Sequence, residues 1–245
     1  MKVLIIGAAG MIGAKLAQRI AREGALGERA VERLVLADVV APEVPPGWEG
    51  RTRALALDIS AAESANTLLA ERPDTVFHLA AIVSGEAEAD FDKGYRINLD
   101  GTRHLFEAIR AENGRSGYCP RVVFASSIAV FGAPFPERIP DDFALTPLTS
   151  YGTQKAICEL LLADYSRRGF LDGVGLRLPT ICIRPGQPNK AASGFFSNIL
   201  REPLAGREAV LPVEDRVRHF FASPRAAVGF FLHAAAMDTA PLGAR

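Results

Sequence analysis

Residues 3–20 read VLIIGAAGMIGAKLAQRI. Four aliphatic residues lead into glycines at 7, 10 and 13, and apolar residues then recur at helical spacing over 11–23. This is a buried strand, a glycine turn and a helix in immediate succession. In such a unit Gly7 permits the tight turn. Gly10 lets a pyrophosphate approach the backbone at the positive helix N-terminus, with Met11 and Ile12 in the first helical turn. Gly13 lets the helix pack closely on the strand. Three glycines alone also suit a ligand-free turn, so the surrounding pattern has to decide.

That pattern is regular. Strand-sized apolar runs occupy 2–6, 33–38, 53–58, 75–80, 121–126 and 174–179. Amphipathic segments lie at 11–23, 61–71, 98–112 and 151–168. Strands apolar on both faces, alternating with helices, define an α/β fold: a doubly wound parallel sheet of Rossmann type. Its ligand crevice lies at the carboxyl ends of the strands. Several distinctive residues fall there. Asp38 ends the second strand, placed to accept from ribose hydroxyls and to repel a 2′-phosphate. With no Arg or Lys in the glycine loop, NAD is favoured over NADP. Asp58 and Ile59 end the third strand, beside an adenine. Leu79, Ala80 and Ala81 end the fourth, where small residues admit a cofactor.

At 150–156 the chain reads SYGTQKA. Tyr151 and Lys155 stand at i, i+4 on one helix face. A phenol titrates near ~10, and a neighbouring ammonium lowers that value, so the phenol can exchange a proton with a substrate hydroxyl. Upstream, FASSIAVFG (124–132) ends the fifth strand in Ser126 and Ser127. Either hydroxyl there can hold a reacting oxygen against the phenol.

Composition narrows the classes. Of 245 residues, 49% are hydrophobic, enough for a sizeable core. The 28 Lys+Arg balance 28 Asp+Glu, so no basic excess points to nucleic acid or an anionic membrane surface. No run is long and apolar enough for a transmembrane span, and MKVLIIGAAG lacks the form of a signal peptide. Cys119, Cys158 and Cys182 are odd in number and scattered, which reads as reduced thiols in the cytoplasm. His78, His104, His219 and His233 form no metal-ligand spacing, so no metal is expected. After residue 183 the pattern changes to Pro, Gly and Asn. The expected division is therefore an NAD-binding domain over 1–182 and a substrate-lobe region over 183–245. In the latter, Ser223 and Pro224 are placed to start a helix.

The glycine loop, Asp38, HLAA (78–81), RINLDGT (96–102), the strand-end serine, YGTQK (151–155) and RLPTICIRPG (177–186) occur in the order found in extended short-chain dehydrogenases/reductases. The chain resembles that family over nearly its whole length. The resemblance implies NAD as cofactor and Tyr151 as the acid/base. It implies Lys155 lowering the phenol's pKa and bonding the nicotinamide ribose. It makes Ser127 the orienting serine, with Ser126 as the alternative. Asn98 would support the site, and Pro179 and Thr180 would line the nicotinamide pocket. Ile128 stands where the family's sugar dehydratases carry a carboxylate, which argues against dehydration. Residues 80–110 and 184–204 further resemble a branch that oxidises the C2 hydroxyl of a four-carbon sugar acid. Nucleotide-sugar epimerization and non-catalytic NAD binding are the competing readings. An acid substrate needs an anion partner: Lys190, Arg184, Arg218 and the N–H groups opening a helix at 193–201 are the candidates. The family's habit implies a homodimer through helices 98–112 and 151–168, both unusually apolar. The family also runs several dozen residues beyond Arg245.

Overall fold

The computed structural model describes residues 1–184 and 191–243. Six parallel strands form the main sheet: β1 (Lys2–Ile6), β2 (Arg33–Asp38), β3 (Arg51–Ala56), β4 (Thr75–His78), β5 (Arg121–Ser127) and β6 (Asp172–Leu178). Their order is β3-β2-β1-β4-β5-β6. The order reverses direction at β1, so a crevice opens between β1 and β4 at their carboxyl ends.

Alternation along each strand loads both faces. Val3 and Ile5 join Leu34, Leu36, Phe77 and Val123 on one face, under α1 (Met11–Glu23). Leu4 and Ile6 join Val35, Val76, Val122 and Phe124 on the other. There they pack against α2 (Ala62–Leu69), α5 (Gly101–Ser116) and α6 (Ser150–Arg167). A strand buried on both faces is apolar along nearly all its length, as Val3–Ile6 of β1 is.

Two expected strands are displaced. The run at 53–58 forms a strand over Arg51–Ala56, paired Arg33↔Arg51 through Asp38↔Ala56. Asp58 thus lies past its end, in a turn. The run at 75–80 stops pairing at His78, although Leu79 N–H still donates to Ile6 O at 2.8 Å. Before α5 the chain makes two short helices, α3 (Ser84–Ala89) and α4 (Phe91–Gly94), and then a π-helical turn over Tyr95–Asp100. The helix expected from residue 98 therefore begins as this π turn.

The region after 183 divides in its packing. A short helix, α7 (Phe195–Leu204), stands over the crevice side, following a two-residue strand β7 (Thr180–Ile181) paired in parallel with β8 (Phe221–Ala222). Helix α8 (Pro224–Ala236) returns to the sheet, where Val228, Phe231 and Ala234 enter the same core as Val3 and Leu16. It starts as expected, with Ala226 N–H donating to Ser223 Oγ at 3.1 Å. Its last carbonyls, Ala234 and Ala235 O, accept from the Arg121 guanidinium, which also pairs with Asp172 at 2.6 Å. A cation at a helix C-terminus is favourably placed.

Candidate active site

The glycines do three different things. Gly7 has φ +91°, and a Cβ there would lie 2.7 Å from Ala80 N. A Cβ on Gly13 would land on the Gly7 carbonyl oxygen and 2.8 Å from Ala8 Cα. A Cβ on Gly10 would meet only Gly7 O, at 3.3 Å. Packing within the chain thus requires glycine at 7 and 13, while Gly10 keeps the helix end bare. That end carries no side-chain cap and no acid in its first turn. It opens on a cleft of about 310 Å³ lined by Gly7, Gly10, Met11, Ile12, Leu79 and Arg184, among others. Uncapped N–H groups, a positive helix end and no covering side chain fit the pyrophosphate of NAD.

The adenosine side fits as well. Asp38 accepts from Ala9 N–H at 2.9 Å and from Val39 N–H at 2.7 Å, one bond per oxygen. Each carboxylate oxygen retains a further acceptor site for a ribose hydroxyl. Asp58 instead organises its own turn, accepting from Ser60 N–H at 2.8 Å. The Ile59 side chain is buried in the core against Gly101. Only the backbone of Ile59 is left to face an adenine. Leu79, Ala80 and Ala81 are half-buried beside the glycine loop.

The two serines separate cleanly. Ser126 Oγ turns inward and donates to Glu159, which is also held by Arg177 at 2.9 Å. Ser127 accepts from Ala129 N–H at 3.1 Å, and its hydroxyl is near enough to the Tyr151 phenol to favour the phenolate. Successive strand residues point to opposite faces, so only one of the pair can meet the phenol. Burial pushes the Tyr151 phenol above its ordinary value, and the Ser127 hydroxyl and the Arg184 charge pull it partly back. Lys155 is buried, donates to Ala125 O at 2.8 Å and lies 5.7 Å from the Tyr151 ring centroid. Burial lowers its pKa to about 8. The Lys155 ammonium is held by the β5 backbone one helical turn along from the phenol, while Ser127 and Arg184 act on the phenol from its other neighbours.

Asn98 lies in the π turn and is fully buried. Its Oδ1 accepts from Ile82 N–H at 2.9 Å and its Nδ2 donates to Gln154 Oε1 at 2.7 Å. Thr180 Oγ1 contacts His219 Nε2 at 2.7 Å, and the His219 ring stacks on Phe196 at 4.7 Å. The Thr180 hydroxyl keeps hydrogen-bonding capacity beyond that contact, and Pro179 is half-buried just past the end of β6. Of the anion candidates, Arg184 lines the cleft and Arg218 is exposed. Lys190 falls outside the described residues. The 193–201 helix starts with a single 3-10 turn at Ala192–Gly194, and Gly194 also lines the cleft.

Gln154 and the His78–Thr102 pair escaped sequence reasoning. His78 Nε2 lies 2.9 Å from Thr102 Oγ1, whose own hydrogen goes to Asn98 O at 2.8 Å. The buried imidazole is therefore the neutral Nε2–H tautomer, and burial lowers its pKa to about 3. Among the described residues no group of His, Cys, Asp and Glu could hold a metal.

A switch-point crevice, a bare glycine-loop helix and a Ser-Tyr-Lys edge define an NAD-binding protein of the extended short-chain type. Residues 3–227 match the NAD dependent epimerase/dehydratase family, and the chain belongs to it. Two relatives named D-erythronate dehydrogenase align over almost all of it. The Haemophilus influenzae protein is 46% identical over 242 residues, 99% of this chain and 74% of that one. The Cupriavidus necator protein is 48% identical over 249 residues, 100% and 75% respectively. A solved structure described as a nucleoside-diphosphate-sugar epimerase from Agrobacterium tumefaciens is 67% identical. It superposes with a TM-score of 0.95 over 99% of this chain and 71% of its own.

Proposed function

We propose that the protein is an NAD-dependent oxidoreductase that oxidises the C2 hydroxyl of D-erythronate to 2-oxo-D-erythronate. The observation that carries this reading is the near-full-length identity to two D-erythronate dehydrogenases. The Ser-Tyr-Lys edge then assigns the parts. NAD, when bound, supplies the acceptor for the C2 hydride. Tyr151 takes the hydroxyl proton, with Ser127 holding the same oxygen. Lys155 stands one turn along from Tyr151, placed for the ribose. Arg184 is the best-placed partner for the substrate carboxylate: it lines the cleft, and its charge reaches Tyr151. Residues 1–182 serve the cofactor, and Arg184, Gly194, Ser197, Asn198 and Arg201 bring the following region to the cleft, with α8 returning to the core.

The three cysteines are free thiols, which supports a cytoplasmic setting. No helix among the described residues is long and apolar enough to cross a membrane. Leu160 on α6 is 64% exposed, and it supports a homodimer built on this helix and α5.

Absorbance of NADH tests the reaction. NAD with D-erythronate yields net NADH, whereas NAD with UDP-sugars yields none. Tyr151→Phe lowers kcat by about a hundred- to ten-thousand-fold. Arg184→Gln raises KM for the acid by about tenfold or more, leaving KM for NAD near its original value. Turnover of a UDP-sugar to its epimer, with no net NADH from the acid, would falsify the dehydrogenase reading.

A further inference from the structure

We propose that Gln154 is a positioning residue. By accepting the hydrogen bond of Asn98, it sets the height of the catalytic helix turn that carries Tyr151 and Lys155.

The orientation of the amides follows from their partners. Ile82 N–H can only donate, so the Asn98 atom 2.9 Å from it is the oxygen. Asn98 Nδ2 therefore faces Gln154, and the Gln154 atom at 2.7 Å is its oxygen. Gln154 Nε2 then points away, against Gly94, where it is buried without a hydrogen-bond partner. A Cβ on Gly94 would sit 2.6 Å from that nitrogen. The side chain is fully buried and wedged between α6 and the α4–π turn. Leaving one amide donor unsatisfied to preserve one acceptor bond shows which half of the amide matters.

Asn98 grips α6 at two heights. Gln154 Oε1 is one grip, and Cys158 Sγ, donating to Asn98 O at 3.3 Å, is the other one turn on. The same asparagine holds Ile82 through both N–H and C=O, at 2.9 and 3.3 Å. Ile82 belongs to the segment after β4 that carries Leu79 and Val83 into the cofactor cleft. One buried residue thus ties the cofactor-lining segment to the helix turn bearing the phenol and the ammonium. Gln154 lies between those two in sequence, so any relaxation there moves both.

The test compares Gln154→Met, which fills similar volume without an acceptor, with Gln154→Glu, which keeps one. It uses full-length NAD-loaded protein and rests in part on the dehydrogenase reading above. In the acid-oxidation assay the Met variant loses about tenfold in kcat while both KM values stay within about twofold. The Glu variant recovers most of that loss. Loss of the Asn98 bond in the Met variant also changes the surroundings of the phenol, so the carbon-13 ζ resonance of Tyr151, identified with Tyr151→Phe, titrates at a shifted pH in Gln154→Met and near the wild-type pH in Gln154→Glu. A Met variant within about twofold of wild type in kcat, or a Glu variant as slow as Met, overturns the proposal. The resonance needs no substrate. If wild type fails to oxidise the acid, the dehydrogenase reading alone falls, and an unmoved Tyr151 titration in the Met variant still overturns the positioning role. If the Met variant does not fold, the same titration is read on Gln154→Leu, which also lacks the acceptor.

Discussion

Single buried groups set the charge state of this site. His78 sits beneath it, fully buried, neutral, and close enough to Lys155 for the ammonium to oppose its protonation. Its pKa falls from 6.5 unfolded to about 3 folded. Between those values the unfolded chain binds the extra proton, so stability is complete above pH 6.5 and is lost as pH falls toward 3. Between pH 6.5 and 4.5 the loss is about 2 kcal/mol. His78→Gln retains an N–H for Thr102 but does not titrate. Urea unfolding at these two pH values shows a loss smaller by about 2 kcal/mol in this variant. Equal losses in the two proteins would mean that other groups dominate acid unfolding. None of this was legible in the sequence, where His78 is one of four scattered histidines. Its burial follows from strand pairing, which sequence spacing does not report. The same applies to Ser126 and Ser127: adjacent serines were visible, but the Glu159–Arg177 pair that claims Ser126 was not.

At the scale of the element, the first βα unit was readable because its constraints are steric and local. Gly7 and Gly13 are required by contacts within a few residues of themselves or with the adjoining strand end. Gly13→Ala pushes α1 off the loop, against backbone that cannot swing aside. The expected cost is about 1–3 kcal/mol in unfolding free energy, with weaker NAD binding by calorimetry. Gly114, inside α5 with nothing within 4 Å of a built Cβ, is the contrast. Gly114→Ala stabilises the protein by about 0.5–1 kcal/mol and leaves NAD binding unchanged. A Gly13→Ala variant matching Gly114→Ala in both measurements would remove the close-packing argument. The π turn at Tyr95–Asp100 was not readable. Its residues keep ordinary helical spacing in sequence, and the turn carries Asn98, which bonds both Ile82 and Gln154. Helix α8 was legible as a helix but not in its destination, since apolar residues on a helix do not name the sheet face they meet.

For the whole molecule, the open question is which apolar surface remains once the core is built. The sequence made α5 and α6 look alike. In the structure Leu105, Phe106 and Ile109 of α5 are wholly consumed by the core, and its outer face carries the Arg110–Glu107 ion pair. On α6, Cys158 and Leu162 face inward, Ile157 and Leu161 are half-covered, and Leu160 stands out in solvent. A partner would therefore meet an apolar stripe on α6 flanked by charges on α5, a contact specified by Leu160 at its centre. Such a residue contributes nothing to the fold of one chain, so it can be changed without disturbing the core. Leu160→Glu places two like charges face to face across a two-fold interface. Sedimentation at micromolar concentration is expected to give twice the chain mass of 26.3 kDa for wild type and a single chain for Leu160→Glu. Unfolding temperature measured on the monomeric variant at low concentration should match wild type at the same dilution. A wild type already monomeric at micromolar concentration, or a Leu160→Glu variant that stays dimeric, would place any subunit contact elsewhere on the surface.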